Sequence, residues 1–166
     1  MIRTFLLIFL TCGSLFSVAQ AQQIEKMVIV ETSQGTFRIN LRPETSRNVA
    51  QFKKLIDNKF YNGVVFHLVI PGSVVQTGDP TGTGRGGSTL RNLPLEPSGS
   101  AFPRGTVAMT RLKQDENSAN SQFFILLKGA PHLKGVYTVV GDVYDGMGVL
   151  DKIRFNDTII KMEILR

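Results

Sequence analysis

Tryptophan is absent from the 166 residues, cysteine occurs once, at Cys12, and histidine twice, at His67 and His132. A single thiol excludes a disulfide framework within the chain and a cysteine-based zinc site. The histidines stand far apart, with no H-x-H or H-E-x-x-H around either, so a histidine metal centre lacks a ligand set. There is no G-x-S-x-G, and nucleophilic hydrolysis lacks its usual parts. Long apolar runs are missing after residue 18, and no basic run of the kind that grips nucleic acid occurs. What is present is 42% hydrophobic and 19% charged residues. That balance is too apolar for a disordered chain and too charged for a membrane bundle, and the length suits one domain.

The amino terminus has a layout of its own. Arg3 precedes a nearly unbroken uncharged run from Thr4 to Val18, and Ala19-Gln20-Ala21 follows. This is the order of a secretory signal peptide, and the run is too short to span a bilayer. Residues 1–21 are therefore expected to be a signal peptide and residues 22–166 the working domain. The surroundings of Cys12 fit a lipoprotein site poorly. Cleavage after Ala21 removes Arg3 and Cys12, lowers the net charge from +6 to +5 and leaves 145 residues. The expectation is a soluble, exported protein, periplasmic or secreted, with no membrane attachment after cleavage.

Downstream, periodicity sets out the elements. Met27 to Thr32 is β-branched, Gln34-Gly35 offers a turn, and Phe37, Ile39 and Leu41 alternate, which predicts a hairpin. Val49, Phe52, Leu55 and Ile56 recur at helical spacing after Thr45 or Ser46, either of which suits an N-cap. Further strands are predicted at 64–70, 74–76, 106–109, 122–127, 136–143 and 158–165, with a short helix near 148–153. Residues 77–105 read as one long loop, the kind that is commonly functional. Its Gly78–Ser88 stretch lacks the Gly-Lys-Ser/Thr end of a phosphate loop and precedes no helix pattern, so it reads as a turning surface loop. The tally is about eight short antiparallel strands and two helices. It predicts a mainly β fold, a barrel or a closed sandwich with its ends covered by helices.

Three blocks, in order, carry a family likeness. They are Phe66-His67-Leu68-Val69-Ile70-Pro71-Gly72 running on to Gln76 and Asp79-Pro80; Met109-Thr110-Arg111 with Asn117-Ser118-Ala119-Asn120-Ser121-Gln122-Phe123-Phe124-Ile125; and Leu133-Lys134-Gly135 with Tyr137 to Val143. Together they resemble the cyclophilin-type peptidyl-prolyl isomerases. The resemblance implies a closed eight-stranded antiparallel barrel capped by two helices, a substrate groove on its outer face, and rotation about X-Pro bonds in proline-containing polypeptide clients. That rotation has a barrier of about 18–20 kcal/mol and breaks no bond. It therefore calls for no cofactor and no metal. The site must bind the twisted amide better than either planar isomer. It needs an apolar cup for the ring, groups that hold the flanking backbone, and a donor aimed at the prolyl nitrogen.

By the resemblance, Gln76, Gln122 and Phe124 form the catalytic centre. Phe124 floors the cup with Met109 and Leu133, Thr110 and Arg111 line the groove edge, and Tyr137 stands where the family places His or Tyr. Phe66, Leu68 and Ser73 complete the substrate-contacting set. Two of these depart from the family pattern, which has Arg at position 68 and Phe at position 73. Leucine donates no hydrogen bond. Loss of one preorganised donor lowers rates roughly 10²–10³-fold at comparable electrostatic sites. A guanidinium from Arg85, Arg91, Arg104 or Arg111 is the available substitute, Arg111 being nearest in the motif. The expectation is a monomeric isomerase of reduced activity that assists folding of exported proteins. The alternative is a non-catalytic, chaperone-like module that holds proline peptides on the same barrel.

Overall fold

The computed structural model describes residues 27–42 and 46–165. The expected signal peptide and the Thr45 cap lie outside the described residues. Strands β1 (Met27–Thr32) and β2 (Gly35–Leu41) form the expected hairpin, with Val30 opposite Phe37. Helix α1 (Ser46–Asp57) follows. Then come β3 (Leu68–Ile70), β4 (Val74–Thr77), β5 (Thr106–Met109), β6 (Phe123–Leu126), β7 (Val139–Asp145), helix α2 (Met147–Leu150) and β8 (Ile159–Ile164). All the strand pairs are antiparallel, in the order β3-β4-β6-β5-β7-β2-β1-β8.

The sheet is curled rather than closed, which corrects the expected closed barrel. Its edge strands, β3 and β8, share no ladder. Residues 64–67 were expected to belong to the third strand, but they leave the ladder and turn towards 156–159. There Val65 makes one isolated bridge with Thr158, Phe66 N–H donates to Asp157 O at 2.8 Å, and Ile159 N–H donates to Val64 O at 2.9 Å. These few bonds span the seam.

Apolar side chains occupy both faces of the sheet. Inside the curl, Val28, Val30, Phe37, Ile39, Val75, Val107, Phe123 and Ile125 pack with the buried stripe of α1, Phe52, Leu55 and Ile56. The Phe52 ring meets Phe123 edge-on at 5.1 Å. Outside, a second cluster of Phe102, Ala108, Phe124, Leu126 and Val139 is flanked by Val74, Ala130, Leu133 and Tyr137. This outer cluster is what gives the convex face a depth to bind into.

Helix α1 has no acidic residue in its first turn. Glu96, from the long loop, supplies the missing acceptor: its carboxylate takes the N–H of Arg47 at 3.2 Å and of Asn48 at 3.1 Å, and the Asn48 side-chain amide at 2.9 Å. A carboxylate on these unpaired donors also faces the positive end of the helix dipole. Glu96→Ala is expected to cost about 1 kcal/mol, in the range of a lost N-cap. Urea denaturation checks this, and an unchanged midpoint would contradict it.

Candidate active site

The loop that borders the site is built around one carboxylate. Asp79 is fully buried. Its Oδ1 accepts the Thr81 N–H and the Thr81 hydroxyl, both at 2.8 Å, and its Oδ2 accepts the Gly86 N–H at 3.0 Å and the Thr83 hydroxyl at 3.3 Å. Burial opposes its ionisation, but these donors, with the Gly84 N–H, prevail and hold the carboxyl well below the usual carboxylate range. The glycines here are required by space. A Cβ on Gly86 would lie 2.1 Å from Asp79 Oδ1, and one on Gly78, at φ +92°, would lie 2.3 Å from Ser121 O. Asn120 fastens the next stretch: its Oδ1 accepts Ser88 N–H at 2.8 Å and its amide donates to Leu90 O at 2.8 Å. Residues 78–90 are thus a tight turn structure tied to the sheet.

Gln122 joins this loop to the strands. Its Nε2 donates to Gly84 O at 3.1 Å and Gly86 O at 2.8 Å, and its Oε1 accepts from Gln76 Nε2 at 2.9 Å. Both amide protons of Gln122 are therefore committed to the loop, and its task is positioning. Gln76 Nε2 also lies 3.3 Å from His67 Nε2, a contact that needs the imidazole as acceptor. This leaves Gln76 Oε1 without a protein partner among the described residues, an acceptor open to a substrate N–H. Thr110 Oγ1 is likewise unpartnered. Burial lowers the His67 pKa, offset in part by the Asp79 charge and by the Gln122 side-chain oxygen as an acceptor for the protonated ring.

Ladder pairing puts Leu68, Gln76, Phe124 and Ala108 side by side across β3, β4, β6 and β5. Directly opposed residues share a face. Phe124 therefore lies on the outer face between Gln76 and Ala108, 6% exposed, and its ring meets Tyr137 edge-on at 5.1 Å. Leu133 packs into the same cluster. Next to this row opens a cleft of about 610 Å³, lined by Gln76, Gln122, Thr110, Arg111 and the 84–88 loop among others. Phe124 borders the cleft row without lining the cleft itself.

The remaining expected site residues fall in two groups. Met109 and Phe66 are 1% and 0% exposed and belong to the inner core. Met109 pairs with Phe123, not Phe124, so it lines no outer depression and the cup is made without it. Leu68 is 38% exposed at the edge of the row. Ser73 is exposed in the turn between β3 and β4, where its carbonyl accepts Leu127 N–H at 2.7 Å; it does not line the cleft. Arg111 is held at the rim. Its Nε donates to Val136 O at 2.8 Å, its Nη1 donates to Leu112 O at 2.9 Å and Lys113 O at 3.1 Å, and its guanidinium stands 5.5 Å from the centre of the Tyr137 ring. Arg104 is bound to Leu127 O and Asp151. Arg91 borders a separate shallow cleft beside α1. Sequence reasoning missed Asp79 and Asn120 as organisers of the loop. The available signal was an acidic or amide residue opening or facing a glycine-rich turn.

The model of the cyclophilin-type peptidyl-prolyl cis-trans isomerases matches residues 27–162. A probable peptidyl-prolyl cis-trans isomerase of Brucella suis is 46% identical over 148 residues, covering 82% of this chain and 75% of the relative. A peptidyl-prolyl cis-trans isomerase-like 3 of Rattus norvegicus is 41% identical over 131 residues, covering 76% and 80%. Among solved structures, a Cryptosporidium parvum cyclophilin-type isomerase crystallised in the presence of the dipeptide Ala-Pro has a TM-score of 0.78 at 27% identity, covering 83% of this chain and 98% of that one. The chain belongs to the cyclophilin-type peptidyl-prolyl cis-trans isomerase family.

The His67 contact gives a titration with a definite sign. A histidine with a folded pKa below its unfolded value of about 6.5 binds fewer protons folded than unfolded. Stability is therefore expected to fall as the pH drops below about 6.5 and on through the lower folded pKa. The His67 ring should titrate below about 6.5 by NMR, and His67→Asn should flatten the stability slope. A ring pKa at or above that value would contradict the arrangement.

Proposed function

We propose that this chain is an exported cyclophilin that grips prolyl segments well and rotates the X-Pro bond slowly. The observation that carries the reading is Leu68, 38% exposed beside Gln76, on the same sheet face as Phe124 and in line with it. In the proposed arrangement the prolyl ring rests against Phe124, between Tyr137, Leu133 and the Gln76 row. Gln76 Oε1 engages the flanking backbone. Binding the ring in this cup, with the backbone held on either side, favours a twisted amide over a planar one. Twisting localises the lone pair on the prolyl nitrogen, and a donor there would stabilise it further. Leu68 supplies none. Of the four arginines able to substitute, Arg104 and Arg111 are committed to carbonyls and a carboxylate, Arg91 borders the other cleft, and Arg85 alone lines the main cleft with a guanidinium that makes no hydrogen bond to the described residues. The Ala-Pro present with the Cryptosporidium parvum relative supports a prolyl ligand.

The alternative is a holding module. Leu68 and Ile70, 38% and 51% exposed on edge strand β3, present an apolar rim to which unfolded clients would adhere. Suppression of client aggregation by a variant with no isomerase activity would favour it. Export rests on residues 1–21, and the expected mature terminus is Gln22. Amino-terminal sequencing of protein from the producing cell tests that.

Two kinetic outcomes are expected. On a short proline peptide, wild-type kcat/KM should fall roughly 10²–10³-fold below that of a relative with arginine at the position of Leu68. Leu68→Arg should raise the rate tenfold or more. A wild-type rate equal to that relative's, or no gain in Leu68→Arg, would overturn the reduced-activity reading. Phe124→Ala should abolish measurable peptide binding and destabilise the fold by about 3–5 kcal/mol, which circular dichroism and urea titration would register.

A further inference from the structure

The cleft beside Gln76 and Gln122 has a one-sided charge. Its lining includes Arg85, Arg111 and Lys113 and no carboxylate. The acidic residues on the neighbouring elements do not line the cleft. Asp79, under the loop that carries Arg85, is fully buried, and its oxygens are taken by N–H and hydroxyl donors. Asp115, on the turn that carries Lys113, accepts the Asn117 N–H at 2.8 Å. Glu116 is exposed on the same turn and does not line the cleft. Arg85 and Lys113 are exposed and have no ion-pair partner among the described residues. Arg111, although its N–H groups are held by carbonyls, keeps its full positive charge at the rim.

The cleft, about 610 Å³, has room for a side chain with its backbone. It adjoins Gln76, itself paired with Phe124 across the ladder.

We propose that this cleft is a subsite for a carboxylate side chain of the client. The substrate class is then proline-containing segments with an Asp or Glu within a few residues of the proline, on one side of it. This rests on the prolyl reading above. In the complex the carboxylate replaces water around Arg85 and Lys113, with Arg111 adding field from the rim. Each exposed pair contributes little, but three cations around one carboxylate favour it over a neutral or basic side chain by roughly tenfold at low salt.

The test uses the full-length folded protein and peptides of one sequence around a single proline. Glu, Gln or Lys is placed in turn at each of the three positions on either side, and exchange between the cis and trans forms is followed by NMR without a coupling protease. The expected result is a Glu-over-Lys preference of roughly tenfold in kcat/KM at positions on one side only, shrinking to about twofold or less in 1 M salt, where screening acts within about 3 Å. In the double variant Arg85→Glu, Lys113→Glu the preference should reverse, Lys peptides then exceeding Glu peptides. The salt series on the wild type needs no variant and guards against a folding defect. If Glu, Gln and Lys peptides are isomerised alike at low salt, the carboxylate subsite is overturned while the prolyl reading stands. If no peptide is isomerised or bound, both fall.

Discussion

The site depends on one side-chain amide. Gln122 spends both of its N–H groups on the carbonyls of Gly84 and Gly86 and its oxygen on Gln76. Through it, β6, β4 and the glycine-rich loop become one rigid wall. Few residues could take its place. An aliphatic side chain would leave two carbonyls unpaired, and a carboxylate would set like charge density against them. The cost of an unmade hydrogen bond is greatest where the loop is already compressed by Asp79, whose carboxylate draws in N–H and hydroxyl donors from Thr81, Thr83 and Gly86. Rigidity of this kind is what an enzyme of bond rotation needs, because its only resource is a fixed surface that fits a twisted amide better than a flat one.

A second constraint is that the sheet is covered on both faces. The interior is filled by α1 and the inward rows, and the exterior of β4 to β7 is covered by Phe102, Leu133, Tyr137 and their neighbours. The outer cluster keeps Phe124 at 6% exposure, enough to present a ring edge while the rest of the ring is braced by Tyr137. A floor that is mostly buried does not reorganise when a prolyl ring lands on it, which limits the ordering cost of binding. The same row carries Leu68 at its end, where an apolar side chain extends the cup and donates nothing.

Much of this was legible in the sequence, and the misreadings have a common cause. Alternation correctly gave Phe37, Ile39 and Leu41 as inward residues of β2, because the other face of that strand meets solvent. In β5 and β6 all residues are buried. Period two then carries no sign of which face is which, and Met109, placed in the groove by the resemblance, packs with Phe123 inside. Phe66, which the resemblance also places at the site, belongs to the same inner core. The closed barrel came from the resemblance and the strand tally, neither of which registers a segment such as 64–67 that leaves the ladder for a turn. Gln122 and Phe124 were identifiable because their block is specific to the family. The part played by Asp79 was not, since composition shows a flexible-looking glycine stretch and conceals the buried carboxylate that orders it.

The account stands on a prolyl residue docking against the Phe124 row, and the most direct measurement is an amide-resolved NMR titration of the protein with a proline-containing peptide. The account predicts saturable shifts centred on Gln76, Ala108, Thr110, Gln122 and Phe124, with the side-chain amide of Gln76 moving most. Shifts centred instead on the β8 edge or the α1 face, or none at saturating peptide, would contradict it.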